Sequence, residues 1–124
     1  MATATIEQDR NEVRNLLQQA EERVRTDPDA EASNALTRAA VAIADRWAVE
    51  GRLAELLSPL LSEPEHRWVR YSAASILLHR GHAGLAVPVL ETVRVPEARF
   101  LLRKWRREHG NGDSEASDRA HRQD

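Results

Sequence analysis

Ile6, Val13, Leu17, Ala20 and Val24 follow one another at intervals of seven, four, three and four residues, with Glu, Gln and Arg filling the opposite face. The intervals average to one helical turn, so the pattern predicts an amphipathic helix from about Thr5 to Thr26. Asp27-Pro28 ends that helix and suits the start of another, with Asp27 as N-cap and Pro28 at the first helical position, where its missing N–H costs nothing. In the second segment Leu36, Ala40, Ile43 and Trp47 recur at four, three and four, which predicts a helix to about Glu50. Trp47 then belongs to the core and Gly51 terminates the helix.

From Arg52 to Ser62 the row Leu53, Leu56, Leu57, Leu60, Leu61 reads as a short, very apolar helix closed by the Glu63-Pro64-Glu65 turn. The next helix, about Arg67 to Arg80, places Val69, Ala73 and Ile76 on one stripe and Ala74, Leu77 and Leu78 beside it. A helix apolar over more than half its circumference must lie between neighbours. Gly81 ends it, and Leu85 to Val93 and Glu97 to His109 repeat the pair, the last helix being entered through Pro96. The chain after His109 offers no apolar side chain larger than Ala, which predicts a domain over residues 1–110 and a mobile tail over 111–124.

Residues 52–81 and 81–110 share a grammar at a separation of 29 positions: Pro59 with Pro88, Leu61 with Leu90, Arg70 with Arg99, Tyr71 with Phe100, Gly81 with Gly110. A fixed period of this size marks one supersecondary unit stacked on another. A proline at the same place in both short helices points to a kink or to the true start of the regular helix, because proline in a helix interior removes a hydrogen bond.

Leu57, Leu60, Leu61, the acidic turn, Val69-Arg70, Ala73-Ala74, Leu77 and Gly81 together resemble a HEAT-type repeat. Across residues 34–110 the order is similar to a family of small bacterial HEAT-like proteins of unassigned function. The match departs in two places: the turn before Val69 is one residue long by the common pattern, and the second copy has Leu102-Arg103 where Ala-Ala is expected. The resemblance implies an all-α domain of about six helices arranged as a short α-α superhelix, with a worn, cap-like last repeat, used for binding and carrying no catalytic residues. It also implies that Arg70 and Arg99, at the Val-Arg position, pair with an acidic turn residue or a backbone carbonyl of the adjoining repeat, with Arg99 the better placed of the two to touch a ligand directly.

Composition supports the helical reading: 41% apolar, 31% charged and only five aromatic residues in 124, a mixture that starves a β-sandwich. The absence of Cys excludes disulfides, thiolate metal sites and a Cys nucleophile. With no signal-like apolar segment near the N-terminus, a cytoplasmic location is expected. One lysine among 18 basic residues suggests a GC-rich bacterial coding sequence.

The net charge of −2 conceals a strong asymmetry. Residues 1–65 hold 7 basic and 13 acidic side chains, residues 66–107 hold 9 and 2, and residues 108–124 hold 2 and 5. Such a field can steer an anionic partner to one end of the molecule or draw two ends of a solenoid together.

Two rows of side chains are candidates for partner binding. Trp68, Ser72, Ser75 and His79 recur at four, three and four along the fourth helix and would face the groove if second helices line the concave side; the alternative is that Trp68 packs on Trp47 or Trp105 and the row is buried. Arg99, Arg103, Arg106 and Arg107 share one side of the last helix, with Lys104 at its edge, where guanidinium forks suit phosphate or an acidic protein, or simply solvate a capping helix. His79 and His82 bracket a helix end without a third ligand, and no triad, zincin or phosphate-loop motif is present, so neither metal, cofactor nor catalysis is indicated. The expected function is non-catalytic binding of a protein partner, regulatory or immunity-type in character. The competing reading is nucleic-acid or other polyanion binding through residues 66–107, and self-association is a further possibility for the Leu-rich edges.

Overall fold

A computed structural model describes residues 5–26, 30–62 and 64–110. Among them are six α-helices and no strand: α1 (Ile6–Thr26), α2 (Ala30–Val49), α3 (Leu53–Leu57), α4 (Arg67–His79), α5 (Ala83–Thr92) and α6 (Pro96–Trp105). The expected Asp27-Pro28 cap and the tail beyond residue 110 lie outside the described residues. No described helix is long and apolar enough to cross a membrane.

α1 and α2 form the most extensive helix pair, and α4 with α5 the next. The apolar stripe of α1 is buried through Val13, Leu17 and Ala20, but Val24, expected to continue it, is 56% exposed. In α2 the buried line is Ser33, Ala40, Ala44 and Trp47, whereas Leu36 and Ile43 are only half-buried. Small residues at 40 and 44 let α1 and α2 approach closely, and Ser33 Oγ donates to the Ala20 carbonyl at 2.9 Å across that contact. At the other end of the pair Trp47 Nε1 donates to the buried Asp9 carboxylate at 2.6 Å, while Arg46 reaches the same oxygen at 3.4 Å and Arg52 lies 4.8 Å over the Trp47 ring.

The segment expected as one short helix is split. α3 ends at Leu57 and a 3₁₀ turn follows over Ser58–Leu61. Pro59 sits in the first turn of that 3₁₀ segment, where no helical hydrogen bond is lost, whereas Pro88 lies inside α5. The two prolines of the sequence echo therefore occupy different local structures. The conformational echo is carried by Gly51 and Gly81, at φ +74° and +89°. After each preceding helix the chain reverses with a bond from the residue beyond the glycine to a carbonyl five positions earlier, Arg52 N to Trp47 O and His82 N to Leu77 O, both 2.9 Å. This closure needs a left-handed residue, which only glycine supplies without a steric cost.

α4 is the hub of the molecule. Val69, Ala73, Ala74 and Leu77 have no exposed surface and pack against α1, α3, the 3₁₀ turn and α5. Two arginines of α1 fix this layer. Arg10 donates to the carbonyls of Leu56 at 2.7 Å and Glu55 at 2.9 Å, satisfying acceptors that the end of α3 leaves without helical partners. Arg14 forks onto Glu65 at 2.9 and 3.0 Å. The described acid of the acidic turn is thus held by an arginine of the first helix.

Candidate functional site

His66 sets where α4 begins. Its Nδ1 accepts from the Trp68 backbone N–H at 3.1 Å and its Nε2 meets Glu21 at 3.1 Å, so neutral His66 carries its proton on Nε2. This N-cap ties the first turn of α4 to α1 and orients Trp68. The Trp68 ring lies 5.1 Å from Tyr71 at a 44° tilt, so its aromatic neighbour is neither Trp47 nor Trp105.

The structure brings Trp68, Ser72, Ser75 and His79 to one cleft of about 450 Å³. The floor is α4. Leu17 and Val24 of α1 with Asn34, Thr37 and Val41 of α2 form one wall, and Glu97 at the start of α6 stands on the other side. Exposure along the row rises from Ser72, which is buried, through Trp68 and Ser75, which are half-buried, to His79, which is exposed. His79 Nδ1 bonds the Ser75 carbonyl at 2.8 Å.

Two smaller hollows extend the cleft. One of about 260 Å³ shares Val24, Trp68 and Glu97 with it and is bordered by Arg25, Arg67 and Arg94. The other, about 300 Å³, shares His79 and reaches Leu101, Lys104 and Trp105, whose ring stacks on His109 at 5.6 Å. From Trp68 to His79 the trough follows twelve residues of helix, about 16 Å. Among the described residues no group of three His, Asp or Glu side chains is placed to hold a metal ion.

Tyr71, Asn34, Thr37, Arg80 and Glu97 also line the cleft and were not singled out by sequence. Tyr71 was legible, lying three positions from Trp68 on the same helical face. Asn34 and Thr37 come from α2, Glu97 from α6 and Arg80 from the C-cap of α4, and none carries a signal that would place it here. Arg80 is held by Asp45 of α2 at 2.7 Å.

The arginine row of the last helix is not a single set. Arg106 is bound to Glu91 of α5 at 2.7 Å and so fastens α6 to its neighbour. Arg99 is exposed beside Arg94 over the α5–α6 turn, Arg103 lies 5.5 Å over the exposed Phe100 ring, and Arg107 is exposed on the π-helical turn over Arg106–Gly110. α6 itself stops at Trp105, earlier than expected, because that wider turn closes it.

Tyr71 is the only tyrosine of the chain. Burial first, and then the Glu97 charge, push its phenol above the ordinary tyrosine value of about 10. The stability it contributes is fully present below the unfolded-state value and is lost as pH rises through the higher folded-state value. Titrating the phenolate absorbance should therefore give a midpoint above that of the unfolded chain, lowered by Glu97→Gln. An unshifted midpoint in the folded protein would place the ring in solvent.

No family model, curated protein or solved structure matches this chain.

Proposed function

We propose that the chain is a non-catalytic helical-repeat domain, stacked in the HEAT manner, that binds a protein partner in the trough along α4. The observation that carries this reading is the convergence of Trp68, Ser72, Ser75 and His79 on one open cleft whose walls come from three other helices. A half-buried Trp beside Tyr71, with the hydroxyls of Ser72, Ser75 and Thr37 and the apolar side chains of Leu17, Val24 and Val41 lining the same cleft, has the make-up of a protein-recognition hot spot. Stacking in the HEAT manner is supported by the paired packing of α1 with α2 and of α4 with α5, and by the matching glycine closures at 51 and 81. A domain of this size that covers another protein's working surface suits a regulatory or immunity-type role.

A photo-crosslinking side chain placed at Ser75 should capture a defined protein from the native host, and one placed at Arg38, on the exposed side of α2, should not. Trp68→Ala combined with His79→Ala should abolish that capture while the far-ultraviolet dichroism is retained. Equal capture from both positions, or capture indifferent to the double substitution, would remove the trough from consideration. Arg106 is unsuited to such a test, since its replacement also releases Glu91.

A further inference from the structure

The outer side of α6 combines two features that weaken an isolated domain. Phe100 stands 65% exposed, although its counterpart in the sequence echo, Tyr71, is half-buried against Trp68. Arg99 and Arg103 follow one another at a four-residue step, a spacing at which like charges repel along a helix, and Arg107 carries the row onto the next turn. Among the described residues, nearby carboxylates do not relieve it. Glu91 is engaged by Arg106, Glu108 by Lys104, and Glu97 lies across the helix beside the α4 trough. Arg103 lies over the Phe100 ring, so cation and aromatic form one surface.

We infer that this face, Arg99, Phe100, Arg103 and Arg107, docks an acidic helix of a partner protein, independently of the trough. A helix bearing Glu or Asp at four-residue intervals repeats its carboxylates at the interval that separates Arg99 from Arg103, about 6 Å. Each guanidinium fork then meets a carboxylate, and an apolar residue between the acids covers Phe100. A nucleic-acid strand fits less well. The row from Arg99 to Arg107 is only about 12 Å long, whereas a strand is held by a charged track along many phosphates. Beyond the row, the half of the chain before residue 66 carries 13 acidic against 7 basic side chains and repels an extended polyanion.

The probe is a fluorescein-labelled, Ala-rich peptide of about 16 residues, with Glu at four-residue intervals around one Leu, titrated against the full chain by anisotropy. Controls are the same composition scrambled and a single-stranded oligothymidylate. The spaced peptide should bind, more weakly as salt rises, and lose at least about tenfold in affinity to Arg99→Ala/Arg103→Ala. Phe100→Ala should weaken it less, and Trp68→Ala/His79→Ala should leave it unchanged, which separates this face from the trough. All the replaced α6 side chains are exposed, so unchanged dichroism is expected. The inference is overturned if the spaced peptide does not bind, if the arginine variant binds equally, if the scrambled peptide or the oligonucleotide binds more tightly, or if sedimentation shows self-association that the arginine variant abolishes.

Discussion

Leu77→Ala should lower the unfolding free energy by about 2–5 kcal/mol, the range for a fully enclosed leucine whose space is only partly refilled by its neighbours. Leu77 has no exposed surface and sits in α4, the one helix in contact with α1, α3 and α5 together. The cavity would open where these helices meet, with little freedom to collapse from any side. In a domain of ordinary stability, about 5–15 kcal/mol, this is a large fraction of the whole. The thermal midpoint should fall by at least about 8 °C. Phe100→Ala provides the contrast: a larger side chain is removed, but at 65% exposure the cost should stay within about 0.5 kcal/mol. Urea unfolding of both variants, followed by circular dichroism, decides the matter. A Leu77→Ala cost below about 1 kcal/mol, or a Phe100→Ala cost above it, would contradict the packing described.

Asp9→Ala should destabilise by about 1–3 kcal/mol, because it strands the buried indole N–H of Trp47 and removes the partner of Arg46. Asp9→Asn keeps an acceptor in place and should cost less. The effect belongs to the pair, which a double-mutant cycle with Trp47→Phe can show. Once the indole N–H is gone, removing the Asp9 carboxylate should matter less, with a coupling in the range of about 0.5–3 kcal/mol. Additive losses would mean that the 2.6 Å bond contributes no more than its surroundings.

Asp9 also shows how sequence reading can miss a residue that it brackets. It lies three positions after Ile6 and four before Val13, squarely on the apolar stripe of α1. Such a position predicts burial, and a buried carboxylate requires a partner. The partner, however, is an indole 38 residues away. No periodicity within α1 points to it. Arg10 and Arg14 are similar: both look like members of a solvated face, yet one satisfies carbonyls of α3 and the other holds Glu65 before α4. Long side chains with several donors reach across elements in directions that helical spacing does not encode.

The binding row of α4 was more legible. Intervals of four, three and four place Trp68, Ser72, Ser75 and His79 on one face of any helix, and they line one cleft. Whether that face would be open was a different matter, decided by how far α1, α2 and α6 close over it. The four arginines of the last helix illustrate the reverse case. Their shared side is a property of the helix, but Glu91 of α5 engages Arg106 and, among the described residues, leaves the others without such a partner.

Local chemistry was enough to specify the six helices, the glycines that end two of them and most of the buried faces, since hydrogen bonding and apolar periodicity act over a turn or two of chain. The shared prolines show the limit of that locality: Pro59 begins a 3₁₀ turn, and Pro88 stays within a helix that packs on α4. Tertiary structure alone decided which exposed positions pair, that Val24 leaves the core, and that Tyr71 shelters against Trp68 while Phe100 faces solvent. The physical reason is that burial and ion pairing depend on what lies opposite a residue, and nothing in the spacing of one helix records its neighbour.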